Sequence, residues 1–140
     1  MATRFFFLEH NISLTNRKAL KEFITTLFIK EKKKLDELTY IFCSDEYLLQ
    51  INRSHLKHNY YTDIITFDLS ESPQTIIGEI YISTDRVREN AAGLGVSIKE
   101  ELHRVIFHGA LHLCGYKDKT IKDERRMRQA EDRCLAAYFQ

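Results

Sequence analysis

Segments with strand-forming composition lie within the first 83 residues of this chain, and helical segments surround and follow them. The predicted strands cover residues 4–9, 38–43, 63–69 and 76–83, several of them rich in Phe, Ile and Thr. A turn that contains the only proline, Pro73, separates the last two strands and predicts that they form a hairpin. Early strands with helices around them predict an α+β fold, in which helices cover a small mixed β-sheet.

Five helices are predicted from capping residues and apolar spacing. The predicted N-caps are Thr15, Ser44, Thr84, Ser97 and Thr120. The first helix would run to about residue 33 and the second to about residue 54. The third would end near the Gly93 and Gly95 pair. The fourth and fifth begin with capping-box patterns, because an acidic residue follows each cap three positions later.

The length and composition are those of one globular domain, predicted to span residues 1–140. Hydrophobic residues make up 44% of the chain and charged residues 29%. With a net charge of only +1, a nucleic acid would have to be held by local patches. No apolar run reaches the roughly 20 residues of a membrane span, and no signal peptide is recognised. Three cysteines without a CxxC pair favour a reduced protein, so we expect a cytoplasmic location and no membrane partner.

A pair of histidines on the fourth predicted helix indicates a metal site. His108 and His112 are four residues apart, so both imidazoles lie on one helix face and can reach one cation. Gly115 permits the left-handed turn that ends a helix, and this turn could bring Asp118 back as a third ligand. Two imidazoles, one carboxylate and an open position for water form the ligand set of a catalytic zinc site. Such histidine pairs also occur as surface groups, and that reading is equally open.

Gly109 follows the first histidine directly and excludes one class of enzyme. Metalloproteases of the H-E-x-x-H type need a glutamate at this position as the general base. The sequence therefore disfavours a zinc peptidase. A metal that activates water for another hydrolysis is the alternative that fits.

Residues 108–118 resemble the signature H-G-x-L-H-L-x-G-Y-D-H of the YbeY family, single-strand-specific metallo-endoribonucleases implicated in ribosomal RNA maturation. Residues 51–52 and 61–67 are similar to the family's L-N-x-x-(Y/F)-R and P-T-D-V-L-S-F segments. Residues 77–83, IGEIYIS, are similar to its L-G-D-I-x-I-S strand. The resemblance covers most of the chain and implies an α+β fold. It also implies one zinc, or another divalent ion, held by His108, His112 and Asp118.

The chain departs from the family pattern at two positions. Asp118 stands where most members have a third histidine, which makes this a variant with a His-His-Asp ligand set. Leu56 stands where the family usually has an arginine thought to act near the substrate. The neighbouring His55, Lys57 and His58 are candidates for substrate binding in its place, although they lack the bidentate fork of a guanidinium.

The resemblance places two further acids near the site. Asp63 and Glu79 are candidate catalytic residues, either as a general base or as acceptors from a ligating imidazole. A role as surface acids of a small sheet is about equally compatible with the sequence.

Other residues near the histidine pair are given plainer interpretations. His103 lies away from the ligand face, so it is predicted to be a surface residue or to support a ligand. Glu101 would be too far along the helix to ligate the metal, and Cys114 would pack in the core. The basic residues of the last helix could track an RNA backbone. Their interleaving with acids such as Glu131 and Asp132 favours a solvated, salt-bridged face.

The function that the resemblance implies is zinc-dependent cleavage of single-stranded RNA. The expected setting is 16S 3′-end maturation and ribosome quality control, with the small ribosomal subunit as partner and no role for DNA. Two alternatives stay open: a non-catalytic ribosome-assembly or RNA-binding module with a structural metal, and a metal-dependent hydrolase of a non-RNA substrate. A structural zinc would need four protein ligands, and the sequence offers no clear fourth.

Overall fold

The computed structural model describes residues 2–58 and 60–140. It contains four strands and five helices. The strands are β1 (Thr3–Phe7), β2 (Lys34–Cys43), β3 (Ile64–Asp68) and β4 (Thr75–Ser83). The helices are α1 (Arg17–Lys30), α2 (Asp45–His55), α3 (Thr84–Leu94), α4 (Ile98–Leu113) and α5 (Ile121–Tyr138). No helix in the described ranges is long and apolar enough to cross a membrane.

The four strands form one mixed sheet in the order β1-β2-β4-β3. Strand β2 pairs in parallel with both β1 and β4, while β3 and β4 are antiparallel and form the predicted hairpin. Strand β3 is therefore an outer strand of the sheet. This arrangement confirms the predicted α+β fold.

Helices cover both faces of the sheet, and the two faces are unequal. The larger core joins alternate residues of β2 and β4 to the buried sides of α1, α3, α4 and α5, with Tyr40, Phe42, Ile80 and Phe107 among its fully buried members. The smaller core lies on the other face, where Leu48 of α2 packs with Cys43 and Ile65. A functional group on α4 and one beside α2 are thus on opposite faces of the sheet.

Helix α4 lies close against the sheet because a glycine faces the strands. A Cβ atom added to Gly109 would lie 2.8 Å from Cδ1 of Ile80 and 3.1 Å from Cδ1 of Ile64. Tyr40 also ties the helix to the sheet, since its hydroxyl donates to the carbonyl of Ile106 at 2.8 Å. These contacts fix the height of α4 above β4 and β3, and with it the position of the neighbouring His108.

Three of the predicted caps are confirmed, and two are wrong. The side chains of Ser44, Ser97 and Thr120 accept hydrogen bonds from backbone N–H groups three residues later. Ser83, instead of Thr84, caps α3, because its hydroxyl accepts the Arg86 N–H. Helix α1 begins after Asn16, which has a left-handed φ of 54° and no side-chain cap bond.

Helix α1 also ends earlier than predicted. Lys32 adopts a φ of 60°, and the N–H of Lys33 bonds to the carbonyl of Phe28 at 2.9 Å, which closes the helix. The chain then enters β2 at Lys34, four residues before the predicted start. The four lysines among residues 30–34 indicate that a helix ends nearby, but they do not show at which residue the chain reverses.

Candidate metal centre

The C-terminal half of α4 carries the two predicted histidine ligands. His108 is half-buried and His112 is exposed, one turn further along the same helix face. The helix ends in a Schellman motif: the Tyr116 N–H bonds to the Leu111 carbonyl, and the Gly115 N–H bonds to the His112 carbonyl. Gly115 has the φ of 108° that this reversal requires, as predicted. The turn brings Asp118 back beside α4.

Each histidine is held through Nδ1 by a hydrogen-bond acceptor. Nδ1 of His112 lies 3.1 Å from the carbonyl oxygen of Tyr116. Nδ1 of His108 lies 2.7 Å from Oε2 of Glu131 on α5. Carbonyl and carboxylate oxygens accept, so both Nδ1 atoms carry the proton and both Nε2 lone pairs are free for a cation. This is the usual arrangement of a metal-binding histidine.

The third predicted ligand lies near the first. Oδ2 of Asp118 is 3.4 Å from Nε2 of His108, and the Asp118 side chain is 47% exposed. Within the two described ranges, however, no three His, Cys, Asp or Glu side chains already converge as a metal site. The donor chemistry of His108, His112 and Asp118 fits a zinc ion. The side chains would have to close around it.

Glu131 is part of a buried charge network. Its Oε1 accepts a hydrogen bond from Nη1 of Arg104 at 3.0 Å, while Oε2 takes the one from His108. Arg104 also donates to Asp132 at 2.8 Å. Glu131 is only 5% exposed, so the prediction that it belongs to a solvated helix face is wrong. The sequence held a signal, since Glu131 shares its stripe on α5 with the buried Met127, Ala130 and Cys134.

A polar cavity of about 340 Å³ lies beside His108. Its lining brings Asp63 and Glu101 together with His108 and Asp118, and Arg104 and Arg128 add positive charge. Glu101 is 6% exposed and faces this cavity. The sequence predicts that Glu101 is too far along α4 to bind the metal. In the structure, Glu101 lines the wall of the cavity.

Three side chains of this cavity, Asp63, Glu101 and His108, have a raised pKa. Burial raises the pKa of Asp63, and the opposing charge of His108 only partly offsets it. Burial also raises the pKa of Glu101, helped by the charge of Asp63. Burial lowers the pKa of His108, but the hydrogen bond and charge of Glu131, with smaller contributions from Asp118 and Asp63, outweigh it and raise that pKa.

The remaining candidate residues lie elsewhere. Glu79 is in a separate pocket on the α2 face, where it accepts a hydrogen bond from the Tyr81 hydroxyl at 3.3 Å. His55, Lys57 and His58 are exposed at the C-terminal end of α2 and just beyond it. The structure thus brings Asp63 to the His108 cavity and separates Glu79 from it.

The predicted position of Cys114 is confirmed, whereas that of His103 is wrong. Cys114 is 9% exposed and packs in the larger core, as predicted. His103 is 1% exposed and packs in an aromatic cluster with Tyr138 and Phe139, so its predicted surface position is wrong. Its Nδ1 donates to the Lys99 carbonyl at 2.7 Å, and its Nε2 is buried without a described hydrogen-bond partner.

Comparison with known proteins agrees with the resemblance. The family model of endoribonuclease YbeY matches residues 7–139. An endoribonuclease YbeY of Cytophaga hutchinsonii is 53% identical over 135 residues, which cover 96% of this chain and 94% of that protein. One of Porphyromonas gingivalis is 49% identical over 119 residues, 85% of this chain and 78% of that protein. A solution structure of a Thermotoga maritima protein has a TM-score of 0.67 at 26% identity, and covers 98% of this chain and 89% of its own.

Proposed function

This chain belongs to the endoribonuclease YbeY family, and from that membership we propose that it is a zinc-dependent endoribonuclease that cuts single-stranded ribosomal RNA. We place it in the cytoplasm, acting on the small ribosomal subunit during 16S 3′-end maturation and quality control, and not on DNA. The observation that carries the proposal is the pairing of each α4 histidine with an acceptor through Nδ1. That pairing leaves both Nε2 atoms available for a cation, and His108 lines the wall of a polar cavity.

His108, His112 and Asp118 are the residues that would hold the ion. When bound there, zinc would polarise a water or a phosphate oxygen and stabilise the negative charge of the transition state. Glu131 orients His108 and keeps its proton on Nδ1. Arg104 in turn fixes the Glu131 carboxylate through Oε1, so the histidine cannot rotate freely.

Asp63 is the candidate general base of the cavity. Its backbone is anchored to the sheet, because its carbonyl accepts the Ser83 N–H at 2.9 Å. Burial raises the pKa of its carboxyl towards the range in which a carboxylate accepts a proton efficiently. We propose that Asp63 takes the proton of the attacking nucleophile. Arg128, which lines the same cavity, would bind the phosphate.

The lining of the cavity supports a phosphodiester substrate over an apolar amide or ester. Acidic, basic and hydroxyl side chains make up most of its wall, and an apolar acyl group would find little surface to contact there. His55, Lys57 and His58 are exposed at the C-terminal end of α2 and just beyond it, and they would hold the RNA backbone outside the cavity.

Metal content and cleavage should be measured together. Elemental analysis of the wild type should give about one zinc per chain, and His108→Ala and Asp118→Ala should each lose it. Control variants are His10→Ala and Asp36→Ala, whose side chains are exposed outside the cavity. The wild type should cut a single-stranded oligoribonucleotide and leave its duplex form intact. Zinc retained by Asp118→Ala would refute the third ligand, and equal cleavage by His108→Ala would refute the metal mechanism.

A further inference from the structure

A second pocket lies on the face of the sheet that α2 covers. It has a volume of about 250 Å³ and is lined by Tyr47 and His55 of α2, Phe67 of β3, and Glu79 and Tyr81 of β4. We refer to it as the aromatic pocket. The histidine pair is on α4, on the other face of the sheet, so this pocket is separate from the candidate metal centre.

Aromatic rings form the walls of the aromatic pocket. Tyr47 lies nearly parallel to Tyr81, with centroids 6.5 Å apart and planes at 24°. Phe67 stands at 90° to Tyr81, and His55 at 80° to Phe67. Tyr47 is 42% exposed. Exposed π faces of this kind are the stacking surfaces on which single-stranded nucleic acids bind.

A carboxylate lies among these rings. Glu79 is half-buried, and its Oε1 accepts the Tyr81 hydroxyl proton at 3.3 Å. An ionised carboxylate only accepts hydrogen bonds, so a ligand in this pocket must present N–H or O–H groups to it.

We propose that the aromatic pocket binds a guanine base of single-stranded RNA, with Glu79 accepting from its N1–H and N2–H groups. Guanine presents two adjacent donors on that edge. Adenine and cytosine present one amino group, and uracil presents one N–H between two carbonyls that a carboxylate repels. Tyr81 would stack against the base, and Phe67, whose ring is perpendicular to that of Tyr81, would contact the edge of the base. The inference rests on the proposed function for the strand that carries the base, and it adds a base preference to that function.

The positions of the two sites suit a continuous strand. Asp63 immediately precedes β3, and Phe67 lies within β3, four residues later. In extended backbone the Cα atoms of these two residues are about 13 Å apart. Because β3 is an outer strand, a nucleic acid could pass around this edge from the His108 cavity to the aromatic pocket. His55 lies beside that path, against Phe67, and would contact a phosphate together with the exposed Lys57 two residues later.

Nucleotide binding tests the proposal directly. GMP, AMP, CMP and UMP are titrated separately into the full chain, and backbone amide shifts are followed by NMR. GMP should shift the amides of Phe67, Glu79 and Tyr81 and bind at least about tenfold tighter than UMP. Glu79→Gln should abolish that preference. Glu37→Gln is the matched control, an exposed carboxylate on the same face of the neighbouring strand β2, and should retain it.

A second variant tests the contribution of ring stacking to nucleotide binding separately from that of the Glu79 carboxylate. Tyr81→Ala should weaken binding of every nucleotide by about fivefold or more. Phe6→Ala is its control, because Phe6 is 50% exposed on the same face, two strands from Tyr81 in the aligned register. Equal binding of GMP and UMP, or a preference for GMP that survives in Glu79→Gln, would overturn the proposal. Urea unfolding of each variant shows whether the fold is retained.

A failure of the guanine-binding proposal can be distinguished from a failure of the proposed nuclease function. RNA cleavage that Tyr81→Ala and Glu79→Gln leave unchanged at guanine-containing sites would overturn the aromatic pocket as a subsite while leaving the nuclease in place. GMP binding as expected in a chain that cuts no RNA would support the pocket and refute the nuclease. Binding of the small ribosomal subunit that depends on Tyr81, without any nucleotide binding, would assign the pocket to a protein and overturn the proposal.

Discussion

Nδ1 of His108 lies 2.7 Å from Oε2 of Glu131, so the first histidine of the α4 pair is oriented by a carboxylate from another helix. Glu131 is 5% exposed and bonds to Arg104 through its other oxygen. The histidine, the glutamate and the arginine therefore form one network between α4 and α5. The stability of the fold and the geometry of the candidate site depend on the same contacts.

Removal of Glu131 should lower both stability and activity. Glu131→Ala leaves Arg104 and His108 without their shared buried partner, and we expect a loss of about 2 to 4 kcal/mol in the free energy of unfolding. Asp132→Asn is the matched control, because the Asp132 side chain is 57% exposed and its pairing contributes less than about 1 kcal/mol. Urea denaturation measures both. Equal losses in the two variants would contradict the network.

Two glycine-to-alanine substitutions should have opposite effects. Gly109→Ala places a Cβ 2.8 Å from Cδ1 of Ile80, so either this side chain or the helix must shift, and we expect a loss of about 1 to 3 kcal/mol. Gly93→Ala in α3 meets no atom within 4 Å and should stabilise the protein by up to about 1 kcal/mol. Thermal unfolding compares them. A stable Gly109→Ala protein would mean that α4 does not pack as closely as described.

His103 should make stability fall in mild acid. Burial lowers the pKa of His103 below its ordinary value of 6.5, outweighing the hydrogen bond to Lys99. The unfolded chain therefore takes up a proton before the folded protein does, and stability is lost as the pH falls through about 6.5 towards the lower folded pKa. In His103→Phe this contribution is absent.

The test compares the free energy of unfolding of wild type and His103→Phe at pH values between about 5 and 8. The wild type should lose more stability than the variant on the acid side. Parallel profiles over the whole range would show that His103 is protonated equally in both states.

An arginine at position 56 should strengthen RNA binding. Leu56 is 39% exposed beside His55 and Lys57, so Leu56→Arg adds a bidentate phosphate donor without disturbing the core. We expect affinity for a single-stranded oligoribonucleotide to rise severalfold and the logarithmic salt dependence to steepen by about 0.7. Leu94→Arg, at a 59% exposed position on α3, is the control. A similar gain from both would indicate only a change in net charge.

The sequence was most informative where the interactions are local. Ser44, Ser97 and Thr120 bond to N–H groups three residues away, and Gly115 allows a turn that depends on one φ angle. Composition was enough to predict the four strands, and the turn that contains Pro73 was enough to predict the β3–β4 hairpin. Thr84 was mistaken for the cap because Ser83 and Thr84 are adjacent and chemically alike.

Contacts between segments far apart in the chain leave no local pattern in the sequence. Glu131 meets His108 across 23 residues, and the charged Arg128, Asp132 and Arg133 lie close to it in sequence and mask its position in an apolar stripe. His103 is buried because α5 ends against it, and no local pattern reports where a helix ends in space. Asp63 and Glu79 are separated because they line pockets on different faces of the sheet. The sequence alone does not show which helix covers which face.

The position of Glu131 on α5 also affects the order in which the site can be completed during synthesis. All four strands and α4 precede α5 along the chain, so they leave the ribosome first. Until α5 folds against α4, the Glu131 carboxylate can neither orient the His108 ring through Nδ1 nor pair with Arg104. A partly synthesised chain therefore carries both histidines before Glu131 can orient His108, and we expect nuclease activity only after α5 has folded against α4.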